Sequence, residues 1–239
     1  MQNSRSRVIW FIAIALAFFF LIDPFRLFES SNIPTMRVNQ EIENEMASFI
    51  ASAPDATRYV VESLQEHDLV LIGETGYVRQ QLEFLVDLIP ALDAAGIRRL
   101  AYQYANADDQ DLVDRLVTGT SFDEDLAEQI LFEHMVILGY EEHREVFRAA
   151  WQANRTRAEG DEPFRIIGIG TRIDYTLIQD QDDTSDPEIL RQVFADGVPD
   201  ELMAERIMRE IVEPGFRGVA YTQAEHAFTG FDQLQYRQT

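Results

Sequence analysis

DLVLIGETG, residues 68–76, is the stretch from which the fold of this chain can be read. Leu69, Val70, Leu71 and Ile72 run without polar alternation, the pattern of a strand buried on both faces. Gly73 ends the run, Glu74 puts a carboxylate at the strand's end, and a long helical pattern begins at Tyr77. In open α/β sheets ligands bind in the crevice beyond the carboxyl ends of the strands, so Glu74 is a candidate site residue by position. The same position favours an anion at a helix N-terminus, and a capping role is the plain alternative.

Working outward, Leu82, Leu85, Val86, Ile89 and Leu92 recur at helical spacing over residues 77–95. Pro90 inside that pattern predicts a kink, and Gly96 stands where a helix C-terminus favours it. RLAYQYA, residues 99–105, reads as the next strand, and strand-helix-strand predicts a parallel pair with a right-handed crossover. Residues 106–160 carry no strand pattern, whereas 109–117, 123–132 and 135–154 each show helical spacing. FRIIGIG, residues 164–170, returns to the buried-strand pattern. Residues 200–212 read as a helix ended by Pro214 and Gly215, and RGVAYT, residues 217–222, as the last strand. Upstream, residues 38–53 and a segment capped by Asp55 or Thr57 and running to Glu66 read as helices. Residues 174–187, with Asp180, Asp182, Asp183 and Asp186, lack the central Gly and the twelfth-place Glu of a calcium loop and read as a solvated loop. Four strands interleaved with helices predict an α/β domain with a parallel-core sheet and flanking helices.

The chain has 239 residues, a net charge of −22, no cysteine and no lysine, so all 20 basic residues are Arg. Such acidity disfavours nucleic acid, which needs a basic patch, and the missing cysteines exclude disulfides and thiolate chemistry. Ahead of the domain, Arg5 and Arg7 precede VIWFIAIALAFFFLI, residues 8–22, a run of 15 residues without a polar side chain. As a helix it spans about 22 Å against the ~30 Å hydrocarbon core, and Phe25, Leu27 and Phe28 lengthen the apolar stretch. Its one Ala-x-Ala, Ala15 to Ala17, lies inside the run rather than after it, which favours an uncleaved anchor over a cleaved signal. The arginines then place the N-terminus in the cytoplasm and the bulk of the chain on the periplasmic or extracellular side of the inner (plasma) membrane. The expected organisation is a cytoplasmic tip and single transmembrane helix over 1–28, a linker over 29–37 and an extracytoplasmic α/β domain over 38–239. Removing Asp23 from the 42 acidic residues, and Arg5, Arg7 and Arg26 from the arginines, leaves 41 and 17 for residues 29–239, so the exported part is the acidic part.

DLVLIGET followed by a long helix, LAYQYA on the next strand and AEHAFT on a late one resemble the haem-binding-uptake (ChaN-like) and Tiki superfamily, which includes relatives of erythromycin esterase. The likeness extends over residues 68–229. The resemblance implies a Gly-Glu-x-His motif at the end of the first strand, a Glu on the second and a Gly-x-x-His on a later one, serving metal-dependent hydrolysis or haem binding. This chain departs at three of those positions: Gly76 stands for the first His, Gln103 for the Glu and Gln223 for the second Gly. Glu74 and His226 remain.

A catalytic divalent ion needs about three protein ligands and an open position, and one carboxylate, one imidazole and a neutral amide fall short of that. Glu225 is no replacement if it extends the strand, because its side chain would point away from that of His226. The residual site Glu74, Gln103, His226 is therefore expected to be non-catalytic, without metal or cofactor. Of the other histidines, His143 follows Glu141 and Glu142 and reads as part of a solvated charged face. Tyr102 and Tyr104, flanking Gln103, read as core packing before they read as a haem face. The leading expectation is a binding or accessory subunit of a membrane protein complex, contacting the bilayer and its partner through the anchor helix and the acidic domain. A Tiki-type metal-dependent hydrolase with a rearranged site, and a haem or small-ligand carrier, are the alternatives.

Overall fold

The computed structural model describes residues 39–227 except 54, 77, 135–140, 159, 173, 181–185 and 195–196. The expected anchor over 1–28 and linker over 29–37 lie outside the described residues; among these, no helix is long and apolar enough to cross a membrane. The chain divides after Ala53 into two units. In the first, α1 (Gln40–Ser52) is capped by Asn39, whose side chain accepts the Ile42 N–H at 2.8 Å. Ile42, Met46, Phe49 and Ile50 form an exposed apolar stripe along it.

The second unit begins with α2 (Ala56–Glu66), where the Asp55 carboxylate accepts the backbone N–H groups of Thr57 and Arg58. Its sheet has four parallel strands, β1 (Leu69–Glu74), β2 (Arg99–Asn106), β3 (Arg165–Gly170) and β4 (Gly218–Gln223), in the order β1-β4-β2-β3. Between β1 and β2 runs α3 (Arg79–Ala94), which passes through Pro90. Between β2 and β3 come a 3-10 turn (Ala107–Asp109), α4 (Gln110–Thr118), α5 (Glu124–His134) and α6 (Glu141–Arg155). Between β3 and β4 come α7 (Pro187–Val193) and α8 (Pro199–Ile207), the latter prolonged by a π turn (Met208–Val212). A short α9 (Ala224–Ala227) follows β4.

Strand alternation sorts the core into two layers. Leu100, Tyr102 and Tyr104 of β2, with Ile166, Val219 and Tyr221, face the buried stripes of α2 to α6, where Leu64, Leu85, Leu92, Leu116 and Phe147 are almost wholly enclosed. Burying each such side chain contributes about 1.5–3 kcal/mol. Ala101, Ile167, Ile169 and Ala220 point the other way, against Met203 and Ile207 of α8 and Ile211 of its π turn.

Two expectations change here. β1 and β2 are parallel but do not pair, because β4 lies between them and makes both ladders. β1 is consequently an edge strand with Leu71 exposed, whereas the inner strands β4 and β2 are covered on both faces. An unbroken apolar run says that a strand exists, not where it sits in the sheet.

The β2–β3 ladder is irregular. Tyr102 pairs with Gly168 and Asn106 with Gly170, so four steps along β2 oppose two along β3. This bulge brings the chain so close to β3 that a Cβ on Gly168 would lie 2.5 Å from the Asn106 carbonyl oxygen, and only glycine fits.

Candidate functional site

Glu74 ends β1 on the face shared by Tyr102, Tyr104 and Tyr221, and only 5 % of its surface is exposed. It does not serve as a cap to α3, whose N-cap residue is Val78 and makes no side-chain cap bond. One carboxylate oxygen accepts the Tyr104 hydroxyl and the other accepts the Tyr221 hydroxyl at 2.6 Å. Tyr102 continues the cluster, its hydroxyl 2.5 Å from His143 Nδ1. The His143 ring also stacks obliquely on Tyr104, with 4.2 Å between centroids. Three strands and one helix thus contribute to one buried polar group in which a carboxylate, three phenols and an imidazole satisfy one another.

The electrostatics follow from that enclosure. Burial raises the ionisation of all three phenols well above the ordinary tyrosine value, because a phenolate there would lose its hydration. Tyr104 and Tyr221 are held neutral further by the bonds they donate to Glu74 and by its charge, and the charge of Glu225 adds to the effect on Tyr104. Neutral phenol donors thus occupy both oxygens of Glu74.

Gln103 and His226 belong to other hydrogen-bond sets. Gln103 shares the face of Ala101, opposite to the three tyrosines. Its Oε1 accepts the Gln223 backbone N–H at 2.7 Å. The last register pair between β2 and β4 is Tyr102 with Tyr221, so the Gln103 side chain continues the bonding where the backbone ladder stops. His226 sits on α9, its Nδ1 2.5 Å from Asp200 Oδ1 in the first turn of α8, with its side chain 7 % exposed. The segment expected to continue as a strand past Gln223 is this helical turn, so Glu225 and His226 are neighbours on a helix and not opposed along a strand. α9 lies tight on Gly73, where a Cβ would come within 2.8 Å of Ala224 Cα and Ala227 Cβ. Gly76, by contrast, has open space around it. Among the described residues, no three His, Asp or Glu side chains gather as they would around a metal ion.

Tyr102 and Tyr104 pack in the core as their alternation predicted, and what the sequence reading missed is the polar work of their hydroxyls. His143 is a correction: it is 1 % exposed, not solvated. The signal was present, since His143, Val146, Phe147 and Ala150 stand at i, i+3, i+4 and i+7, which is the buried stripe of α6.

No protein-family model matches the chain, and no curated protein matches it. Solved bacterial structures do. The type III effector HopBA1 is 12 % identical over 70 % of this chain and 71 % of its own, with a TM-score of 0.46. A structure described as bacterial protein toxins is 15 % identical with a TM-score of 0.47, covering 77 % of this chain and 33 % of its own. A second of the same description is 14 % identical with a TM-score of 0.50, covering 82 % and 36 %. The chain thus spans about a third of the length of the two toxin structures it matches, and the last of these likenesses is one of fold alone.

Proposed function

We propose that this chain is a membrane-anchored, extracytoplasmic domain that works by binding, as an accessory subunit of a membrane protein complex. The observation that carries the reading is the commitment of every residual site residue to the fold. Both oxygens of Glu74 accept phenol hydroxyls, Gln103 completes a ladder and His226 is bonded to Asp200. An ion bridging Glu74 and His226 would have to displace those partners and then leave two buried phenols without an acceptor, each at a cost of about 1–3 kcal/mol. The apolar run over residues 8–22, the acidity of the segment after it, and the substitutions at Gly76, Gln103 and Gln223 within a Tiki-like pattern support the same reading.

The test is purification of the full chain from its native membrane in a mild non-ionic detergent. A stable complex with at least one other membrane protein is expected, and migration of the chain alone refutes the subunit assignment. Elemental analysis of the same preparation addresses the catalytic alternative, because stoichiometric manganese, cobalt or zinc lost on substitution of Glu74 or His226 replaces the binding reading with a hydrolytic one.

A further inference from the structure

A helix of about 12–15 residues is marginal in water on its own, and helices in proteins draw most of their stability from packing an apolar face. α1, with 13 residues, has such a face, yet none of its residues is buried. Phe49 is 71 % and Ile50 69 % exposed, with Ile42 and Met46 exposed beside them. A contiguous apolar stripe left open to water marks an interaction surface. Ile42, Met46 and Phe49 stand four and then three residues apart, the spacing of a seam at which two helices interlock.

What fits the stripe follows from the charges at its borders. In that register Glu43 and Glu45 take the two positions flanking the seam, one on each side, and Glu41 adds a third carboxylate. All three are exposed, and residues 39–53 hold neither Lys nor Arg. Charges at the flanking positions choose the partner of a helix. A second copy of α1 brings no cation to them in either orientation. A bilayer surface suits them no better, since helices that lie on membranes carry Lys and Arg on their polar face and anionic headgroups repel carboxylates. A helix whose apolar stripe is bordered by Lys or Arg covers the seam and pairs with the glutamates at once. The net charge of −22 acts in the same direction, drawing basic surfaces and repelling acidic ones. With the run over residues 8–22 as anchor, the 17 residues from Asp23 to Asn39 keep α1 within about 60 Å of the membrane, so the partner stands at the same surface.

We infer that α1 docks on a basic amphipathic helix of the membrane partner, with Ile42, Met46 and Phe49 in the shared apolar seam and Glu43 and Glu45 facing Lys or Arg. This rests on the accessory-subunit reading above and gives that reading its contact surface. A helix of this length offers a contact only about 20 Å long. Confinement of both chains to one membrane raises their effective concentration and lets so small a contact hold.

Photocrosslinking of the full chain in its native membrane tests this, with Phe49 replaced by p-benzoylphenylalanine. Adducts are expected on another protein, in a segment where apolar residues recur at helical spacing beside Lys or Arg. Adducts with a second copy of this chain, with lipid alone, or with a segment that lacks basic residues overturn the assignment, as does the absence of any adduct. Glu43→Arg combined with Glu45→Arg is expected to lower the adduct yield about fivefold or more, and the corresponding pair of Gln substitutions by less. Met46→Gln, which keeps helix propensity but removes an apolar side chain from the seam, lowers it as well. Glu66→Arg, on α2 and exposed, leaves it unchanged. Co-purification in mild detergent separates the two ways of failing. A complex that forms in undiminished yield after the charge reversal refutes docking through α1 and leaves the subunit reading standing, whereas a parent chain that migrates alone refutes both.

Discussion

Raising the pH titrates the buried tyrosine cluster from the unfolded side. Tyr102, Tyr104 and Tyr221 have their ionisation raised in the folded domain by burial first, and for the last two by the bonds they donate to Glu74. The folded state keeps these protons above the pH at which the unfolded chain loses them, so the unfolded state binds fewer protons and stability falls as pH rises. The contribution is fully present below the ordinary tyrosine value of about 10 and drains away above it. Between about pH 9 and pH 11 each such group withdraws about 1.4 kcal/mol, and the three together about 4 kcal/mol, a large share of the ~5–15 kcal/mol that holds a typical domain together. Urea unfolding of the full chain in detergent, followed by circular dichroism at several pH values, measures the loss. Tyr102→Phe, Tyr104→Phe and Tyr221→Phe should each reduce the pH dependence by one third, whatever they do to stability at neutral pH. A domain whose stability is flat to pH 11, or whose pH dependence in all three variants is the same as in the parent, would show that these phenols are not enclosed as described.

Gly168→Ala should destabilise the domain by at least about 1–3 kcal/mol, because its Cβ would collide with the Asn106 carbonyl oxygen, whereas Gly76→Ala, facing open space, should stay within about 0.5 kcal/mol. Unfolding midpoints of the two variants check the contrast. Introducing the residues of the pattern this chain resembles, with Gly76→His and Gln103→Glu, should leave the protein folded yet without a stoichiometric divalent ion after dialysis and elemental analysis, since residue 103 points to the face opposite Glu74.

Much of the fold was legible because hydrophobic period is a local property. The helices after Asn39 and Asp55 and the three between β2 and β3 follow stripes visible in the sequence, and all four strands fall on runs of apolar residues. Strand order was not legible. The apolar run of β1 resembles that of a central strand, and nothing in it records that β4, about 150 residues later, inserts beside it. The candidate site was legible in part. Position marked Glu74 at a strand end, but the face on which Gln103 points follows from strand parity, and the partners of Glu74 lie on strands whose adjacency the sequence does not state. The glycine at 168 is explained by the close approach of the β2 bulge, a contact between segments about 60 residues apart.

The insertion of β4 between β1 and β2 bears on how the molecule comes to exist. β1 and β2, the first two strands made in synthesis, have no ladder with each other and wait for residues 218–223 to join them. Such a sheet closes late and through distant contacts, which slows folding and prolongs exposure of unpaired edges. A chain interrupted before Gly218 would keep β2 and β3 together but strand β1 with nothing to bond. The domain therefore reaches its finished form only once residues 218–223 have been delivered.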